Sequence, residues 1–205
     1  KPKILILVAI TALASAIVAN QGDILFSMGV LLVLAVVLAS AGAALLNNYL
    51  DKDIDIIMER TRNRPLPNGK FSPPKVFLAG ITLIVLSVLP ALALDYLVAL
   101  FVVAGALIYV LIYTLWLKRR TSLNIIIGGL AGSCVILAGW FAITTALSLV
   151  LILMASLVFL WTPSHFWSLA LAHQESYRKA KIPMLPVIAG VKKTSDYILL
   201  SSGVL

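Results

Sequence analysis

Apolar residues in this chain come in long unbroken blocks, and short polar stretches separate them. The first block runs from Ile4 to Ala19 and ends in a turn at Asn20 to Asp23. A second runs from Ile24 to Leu46, where Ala39 to Ala44 is rich in small residues that permit close helix contact. Val76 to Ala91, Tyr96 to Leu117, Leu123 to Ala142 and Ala146 to Ala172 are four more. A seventh starts near Tyr197 and is cut off at Leu205. Blocks of about 20 apolar residues predict membrane-crossing helices, because lipid offers no partner for a free backbone N–H or C=O. The blocks lack the period-2 alternation of a membrane β-barrel. The expected fold is therefore all-α: a polytopic transmembrane helical bundle, one domain, with six complete spans and part of a seventh. Ending inside an apolar run leads to the expectation that the chain is C-terminally incomplete.

Within the blocks, Gly128, Gly129, Ala131 and Gly132 read as a packing face rather than a phosphate loop, since no strand precedes them. Pro65, Pro67, Pro73 and Pro74, with Asn68 and Gly69, make Arg64 to Pro74 an irregular loop.

Composition agrees with the pattern. The chain is 61% hydrophobic and 12% charged, with a mean hydropathy of +1.07, outside the range of soluble domains. The apolar blocks are too numerous and too deep in the chain to be a signal peptide. A net charge of +8 would suggest nucleic acid in a soluble protein, but its distribution has a different explanation. All 16 Lys and Arg lie at the start of the chain or after blocks two, four and six. By the positive-inside rule, the segments Asn47 to Lys70 and His173 to Lys193 share the cytoplasmic side of a cell membrane. No nucleic-acid partner is expected; the lipid bilayer is. Cys134 is the single cysteine, so there is no internal disulfide and no thiolate cluster.

Chemistry concentrates in the polar segment after block two. Asn47, Asp51, Asp55 and Glu59 recur four residues apart, which on a helix makes one stripe, with Asp53 roughly opposite. The bland alternative is a wet loop whose acids balance Arg60, Arg62 and Arg64. A stripe at the rim of a membrane helix instead calls for a cation, and oxygen ligands suit Mg²⁺ held together with a substrate phosphate. Arg60, Arg62, Arg64, Lys70, Lys118 and Arg119 then supply donors to a diphosphate. With apolar spans alongside, the natural substrate is a prenyl diphosphate. Tyr113 is a candidate to shield an electrophilic allylic carbon or to orient the head group, with plain packing as the alternative.

A second constellation is WTPSHFW, Trp161 to Trp167, where His165 stands in an otherwise apolar helix. It is read as a structural histidine, a metal or haem ligand, or a proton carrier. His165 and His173 are eight residues apart, about 12 Å along a helix, too far to share one ion. The surrounding rings, Trp161 and Phe166 beside His165, fit a large planar acceptor better than zinc; Tyr177 is a further haem-side candidate.

NNYLDKDIDIIMERTRNRPLP (Asn47 to Pro67), YTLWLKR (Tyr113 to Arg119), WTPSHFWSLA (Trp161 to Ala170) and YRKAKIPMLPV (Tyr177 to Val187) resemble the protohaem IX farnesyltransferases, or haem O synthases, a branch of the UbiA-type intramembrane prenyltransferases. The resemblance extends over essentially the whole chain and implies nine spans in a full-length member. It implies transfer of a farnesyl group from farnesyl diphosphate to the 2-vinyl group of haem b, with water completing the hydroxyethylfarnesyl side chain. It further implies Mg²⁺ and diphosphate at Asn47, Asp51 and Asp55, phosphate contacts from Arg60, Arg64, Lys118 and Arg119, and a haem-side role for His165. Where the family commonly has Asp-Tyr, this chain has Ser176 and Tyr177; Glu175, one residue earlier, is the acidic candidate for a second metal site. Contact with a haem A synthase or a terminal oxidase assembly is a further expectation. Two other readings remain: a quinone precursor or lipid alcohol as acceptor, and a haem carrier or transporter without chemistry.

Overall fold

The computed structural model describes residues 2–204; Lys1 and Leu205, the last residue of the seventh block, lie outside the described residues. The helices are α1 (Pro2–Ala19), α2 (Phe26–Leu50), α3 (Lys52–Ile57), α4 (Pro73–Leu92), α5 (Tyr96–Leu107, continued as a π-helix over Ile108–Leu117), α6 (Asn124–Gly128), α7 (Leu130–Phe141), α8 (Leu149–Ala172), α9 (Gln174–Lys179) and α10 (Leu185–Gly203). No strand occurs among the described residues. Six helices are long and apolar enough to cross a membrane, α6 and α7 together counting as one. The protein is a multi-pass membrane bundle, as the apolar blocks predict.

Boundaries differ from the sequence expectation for identifiable reasons. Helix α2 runs on through Asn47 to Leu50, because the polar stripe is helical too. Helix α4 starts at Pro73 rather than Val76: Pro73 and Pro74 occupy its first turn, where a missing N–H costs nothing. Asp95 opens α5 by accepting the Leu97 amide at 2.7 Å, and Ser148 opens α8 by accepting that of Leu151 at 3.3 Å. The last helix begins at Leu185, twelve residues before the predicted start at Tyr197. It breaks at Gly190, whose φ of 82° only glycine adopts without strain. Lys192 and Lys193, which precede the seventh block, are already inside this helix.

Helices α1, α2, α5 and α7 surround the main core, built on Ala12, Ala16, Leu32, Ala35, Val98 and Ala138. Their small residues let the backbones approach. A Cβ on Gly42 of α2 would sit 2.6 Å from the Gly80 carbonyl oxygen of α4, so these helices touch backbone to backbone. A Cβ on Gly128 would meet the Tyr113 ring at 2.9 Å, so the predicted glycine face does pack, and it packs on a candidate site residue. A second cluster, Ile54, Met58, Trp167, Tyr177, Ile182 and Met184, fastens α3 to α8 and α9. It brings the two polar segments together at one end of the bundle.

Candidate active site

The α2 ladder continues through the junction with α3: the Asp51 amide donates to the Asn47 carbonyl at 2.9 Å, and that of Asp55 to the Asp51 carbonyl at 2.8 Å. Four-residue spacing therefore keeps Asn47, Asp51 and Asp55 on one face, all buried. The face stops there. The backbone turns extended at Met58, so Glu59 leaves the stripe and lies exposed.

Each buried carboxylate has a cation. Lys118 Nζ pairs with Asp51 Oδ2, which also accepts from Asn47 Nδ2 at 2.7 Å. Arg64 Nη1 donates to Asp55 Oδ1 and Oδ2 at 2.9 and 2.7 Å, and to Asn48 Oδ1 at 3.3 Å. Breaking such a buried pair by removing one member costs about 3–5 kcal/mol, because the survivor is an uncompensated charge. Thr114 Oγ1 accepts from Asn47 at 3.2 Å and donates to the Tyr109 carbonyl at 2.8 Å. Thr61 Oγ1 donates to the Asp55 carbonyl at 3.2 Å and ties the loop to the stripe.

These groups stand at one end of a cavity of about 400 Å³. Along α2 it is lined from Asn47 back to Val36, about 16 Å at the helical rise. Its walls beyond the polar end are apolar: Ala39 and Ala43 of α2, Phe101 and Val102 of α5, Val135 and Ala138 of α7.

The π-helical stretch decides which side chains of α5 reach the site. The Lys118 amide donates to the Tyr113 carbonyl at 2.8 Å, five residues back. An α-helix would place Tyr109 and Lys118, nine residues apart, about 180° from each other; at about 4.4 residues per turn they fall within about 20°. Tyr109, Tyr113 and Lys118 consequently line the cavity together, with the two rings stacked at 5.7 Å.

Of the residues singled out from sequence, Asn47, Asp51, Asp55, Arg60, Arg64, Tyr113, Lys118, Phe166 and Tyr177 all line this one cavity. Others do not. Arg119 is turned to the opposite face, where Nη1 and Nη2 each donate to Asp53 at 2.8 Å and Nη2 to the Leu50 carbonyl at 2.9 Å; it follows Lys118 by one residue, so its side chain leaves in another direction. Glu175 lies exposed on α9, paired with Arg178 at 3.0 Å, and its offset from Tyr177 turns it away from the cavity. Arg62 and Lys70 are exposed in the loop and do not line the cavity. Trp161 and His165 stack at 4.5 Å on the exposed side of α8, because the four-residue spacing that pairs them points away from the core; Phe166 meets His165 edge-on at 5.3 Å.

Thr114, Tyr109, Met58, Thr61 and Asn48 join the site without having been singled out. Tyr109 carried a signal, lying four residues before Tyr113; an isolated threonine in an apolar run carries none.

Electrostatics outside the spans follow the pairing. The Arg119 hydrogen bonds hold Asp53 below the usual carboxylate range and Asp53 raises Arg119 in turn. Burial pushes the Tyr177 hydroxyl up, with the charge and hydrogen bond of Arg60 opposing it.

Asp51 Oδ1 is buried and has no hydrogen-bond partner among the described residues. A carboxylate oxygen left open in a set made of two carboxylates and an amide suits a hard divalent cation. Among the described residues no group of three or more His, Cys, Asp or Glu is disposed to hold a metal, so protein ligands alone would leave Mg²⁺ largely to water and phosphate.

The UbiA prenyltransferase family matches residues 8–205. The chain belongs to that family. It is 45% identical over 202 residues to Protoheme IX farnesyltransferase of Symbiobacterium thermophilum, covering 98% of this chain and 68% of that protein. It is 41% identical over 206 residues to Protoheme IX farnesyltransferase of Ehrlichia chaffeensis, covering 100% and 70%. The chain spans about two thirds of the length of these relatives. Its bundle superposes on a UbiA homolog from Archaeoglobus fulgidus bound to DMAPP and Mg²⁺ with a TM-score of 0.82 at 18% identity, covering 98% of this chain and 72% of that one. A UbiA homolog from Aeropyrum pernix K1 gives 0.82 at 21% identity, covering 98% and 75%. The architecture is thus the UbiA prenyltransferase fold.

Proposed function

We propose that the chain is a protohaem IX farnesyltransferase, transferring the farnesyl group of farnesyl diphosphate to the 2-vinyl group of haem b. The observation that carries the donor half is the buried stripe with its two cations at one end of an apolar cavity, which fits a polyanionic head on a hydrocarbon tail. Kinship to proteins named Protoheme IX farnesyltransferase supports the haem acceptor.

Asn47, Asp51 and Asp55 would hold Mg²⁺ through oxygen. When bound, Mg²⁺ supplies positive charge against the departing diphosphate. Lys118, Arg64 and Arg60 hold and orient the phosphate oxygens. The bond between farnesyl C1 and the diphosphate oxygen breaks with its electron pair leaving on diphosphate. The terminal vinyl carbon bonds to C1, and water adds to the inner vinyl carbon and releases a proton. Tyr113 and Tyr109 present ring faces to the positive charge that develops at C1, and the apolar walls keep other water from it. Phe166 and Tyr177 are the haem-side candidates within the cavity, and His165 with Trp161 those on the outer face of α8.

The distribution of Lys and Arg supports a cytoplasmic position for this end of the bundle. Contact with a haem A synthase or a terminal oxidase assembly belongs to the same reading. Incubating purified protein with haem b, farnesyl diphosphate and Mg²⁺ should yield a haem with the mass of the hydroxyethylfarnesyl adduct. A farnesyl group found instead on a quinone precursor or lipid alcohol would move the protein to another branch. Haem binding without diphosphate release would make it a carrier.

A further inference from the structure

The two buried carboxylates are already matched by two cations before any ligand arrives. Lys118 and Asn47 occupy Asp51 Oδ2, and Arg64 spans both oxygens of Asp55. We propose that Lys118 and Arg64 are resident counter-ions: they keep a divalent cation from settling on the stripe by itself, and move onto the phosphate oxygens when a diphosphate brings the cation in. This rests on the prenyl diphosphate reading.

Charge balance is the first reason. With each carboxylate paired, a divalent cation entering alone adds positive charge that nothing compensates, and apolar surroundings penalise that heavily. A diphosphate supplies the missing negative charge. Ligand count is the second. Asp51 Oδ1 is the buried carboxylate oxygen left open, and no group of three or more metal-ligating acids, histidines or cysteines exists among the described residues. Mg²⁺ demands six oxygens, so water and phosphate have to bring most of them, and only phosphate brings negative charge as well.

Reach is the third. Lys118 and Arg64 both line the cavity, so their tips can turn from carboxylate to phosphate by rotamer changes alone. The backbone beside Lys118 need not follow. Arg119 clamps it to Asp53 and to the Leu50 carbonyl on the other face. Lys118 is the swinging group and Arg119 the anchor.

The consequence is synergy: metal and diphosphate each tighten the other, by the same factor. Calorimetric titration of Mn²⁺ into the full chain in detergent, at one pH, with and without inorganic diphosphate, reads it once the Mn²⁺–diphosphate complexation measured without protein is taken into account. In the wild type, diphosphate should tighten Mn²⁺ about tenfold or more. Lys118→Met should bind Mn²⁺ alone about fivefold tighter than wild type and lose most of the synergy. Arg64→Gln should do the same to a smaller degree and serves if Lys118→Met fails to fold. Lys118→Arg, which keeps the counter-ion, should behave as wild type toward Mn²⁺ alone; a purely structural lysine would not produce that split.

Wild-type Mn²⁺ affinity indifferent to diphosphate, or a well-folded Lys118→Met and Arg64→Gln that bind Mn²⁺ alone no better than wild type, overturns the counter-ion role. If inorganic diphosphate tightens Mn²⁺ in wild type yet neither variant gains, the diphosphate reading survives and the swap does not. If wild type binds neither ligand under either condition, both fall.

Discussion

Asp51 and Asp53 sit two residues apart, each paired with a cation from the end of the same helix, and the two pairs have opposite fates. Asp51 with Lys118 is buried at the polar end of the cavity, whereas Asp53 with Arg119 is open to solvent, with side chains 59% and 42% exposed. The Glu175–Arg178 pair is more exposed still, at 61% and 58%. An exposed pair contributes at most about 1 kcal/mol and is screened by salt. A buried one gives little net stability yet holds a charge where chemistry needs it. Neighbouring pairs of the same charge therefore divide into a cavity-lining pair and a solvent-facing one by the face they occupy.

Substitutions along this division should separate the two classes. The largest effect is expected for Asp51→Asn, which should lower farnesyl transfer to haem by about 100-fold or more, measured as product formed per unit time under saturating substrate. Its partner Lys118 is left as an unpaired buried cation, so the melting temperature should also fall. Arg64→Gln comes next, with about a tenfold loss, while Arg119→Gln should stay within about threefold, since it anchors backbone rather than meeting phosphate. A loss at Arg119 equal to that at Arg64 would break the comparison. Thr114→Val removes the hydroxyl that accepts from Asn47 and should cost about 1 kcal/mol in thermal stability, with a smaller activity loss than at Asp51.

The outer pair has a pH signature. Arg119 holds the Asp53 carboxyl below its ordinary value of 3.8, so its contribution to stability is full above that value and disappears as pH falls through the depressed one. Melting curves of wild type and Asp53→Asn should differ slightly at neutral pH and converge below about pH 3.8. Glu175→Gln should give the smallest change of all, within about twofold of wild-type activity. A loss comparable to that at Asp51 would return Glu175 to the metal site.

Legibility in the sequence followed the same division. The stripe Asn47, Asp51, Asp55 was readable because four-residue spacing maps onto one helical face whatever the helix packs against. Glu59 extended the same spacing in letters only, since the backbone leaves the helix at Met58. Lys118 and Arg119 looked equivalent; as neighbours they must diverge, and which of them faces the cavity depends on a π-helical end to α5 that no periodicity announces. Tyr177 entered by resemblance and Tyr109 not at all, though both reach the same cavity.

By itself the sequence determined that this is a multi-pass helical membrane protein with an acidic stripe fit for a cation, because hydrocarbon thickness and backbone hydrogen bonding leave few ways to arrange such blocks. Only the tertiary structure decided which charges face inward. That choice depends on close backbone contacts such as Gly42 on Gly80 and on the turn geometry at Leu117 and Met58. The first relates elements distant in the chain and the second are local departures from the α-helix that carry no periodic signal, so the pattern of letters contains neither.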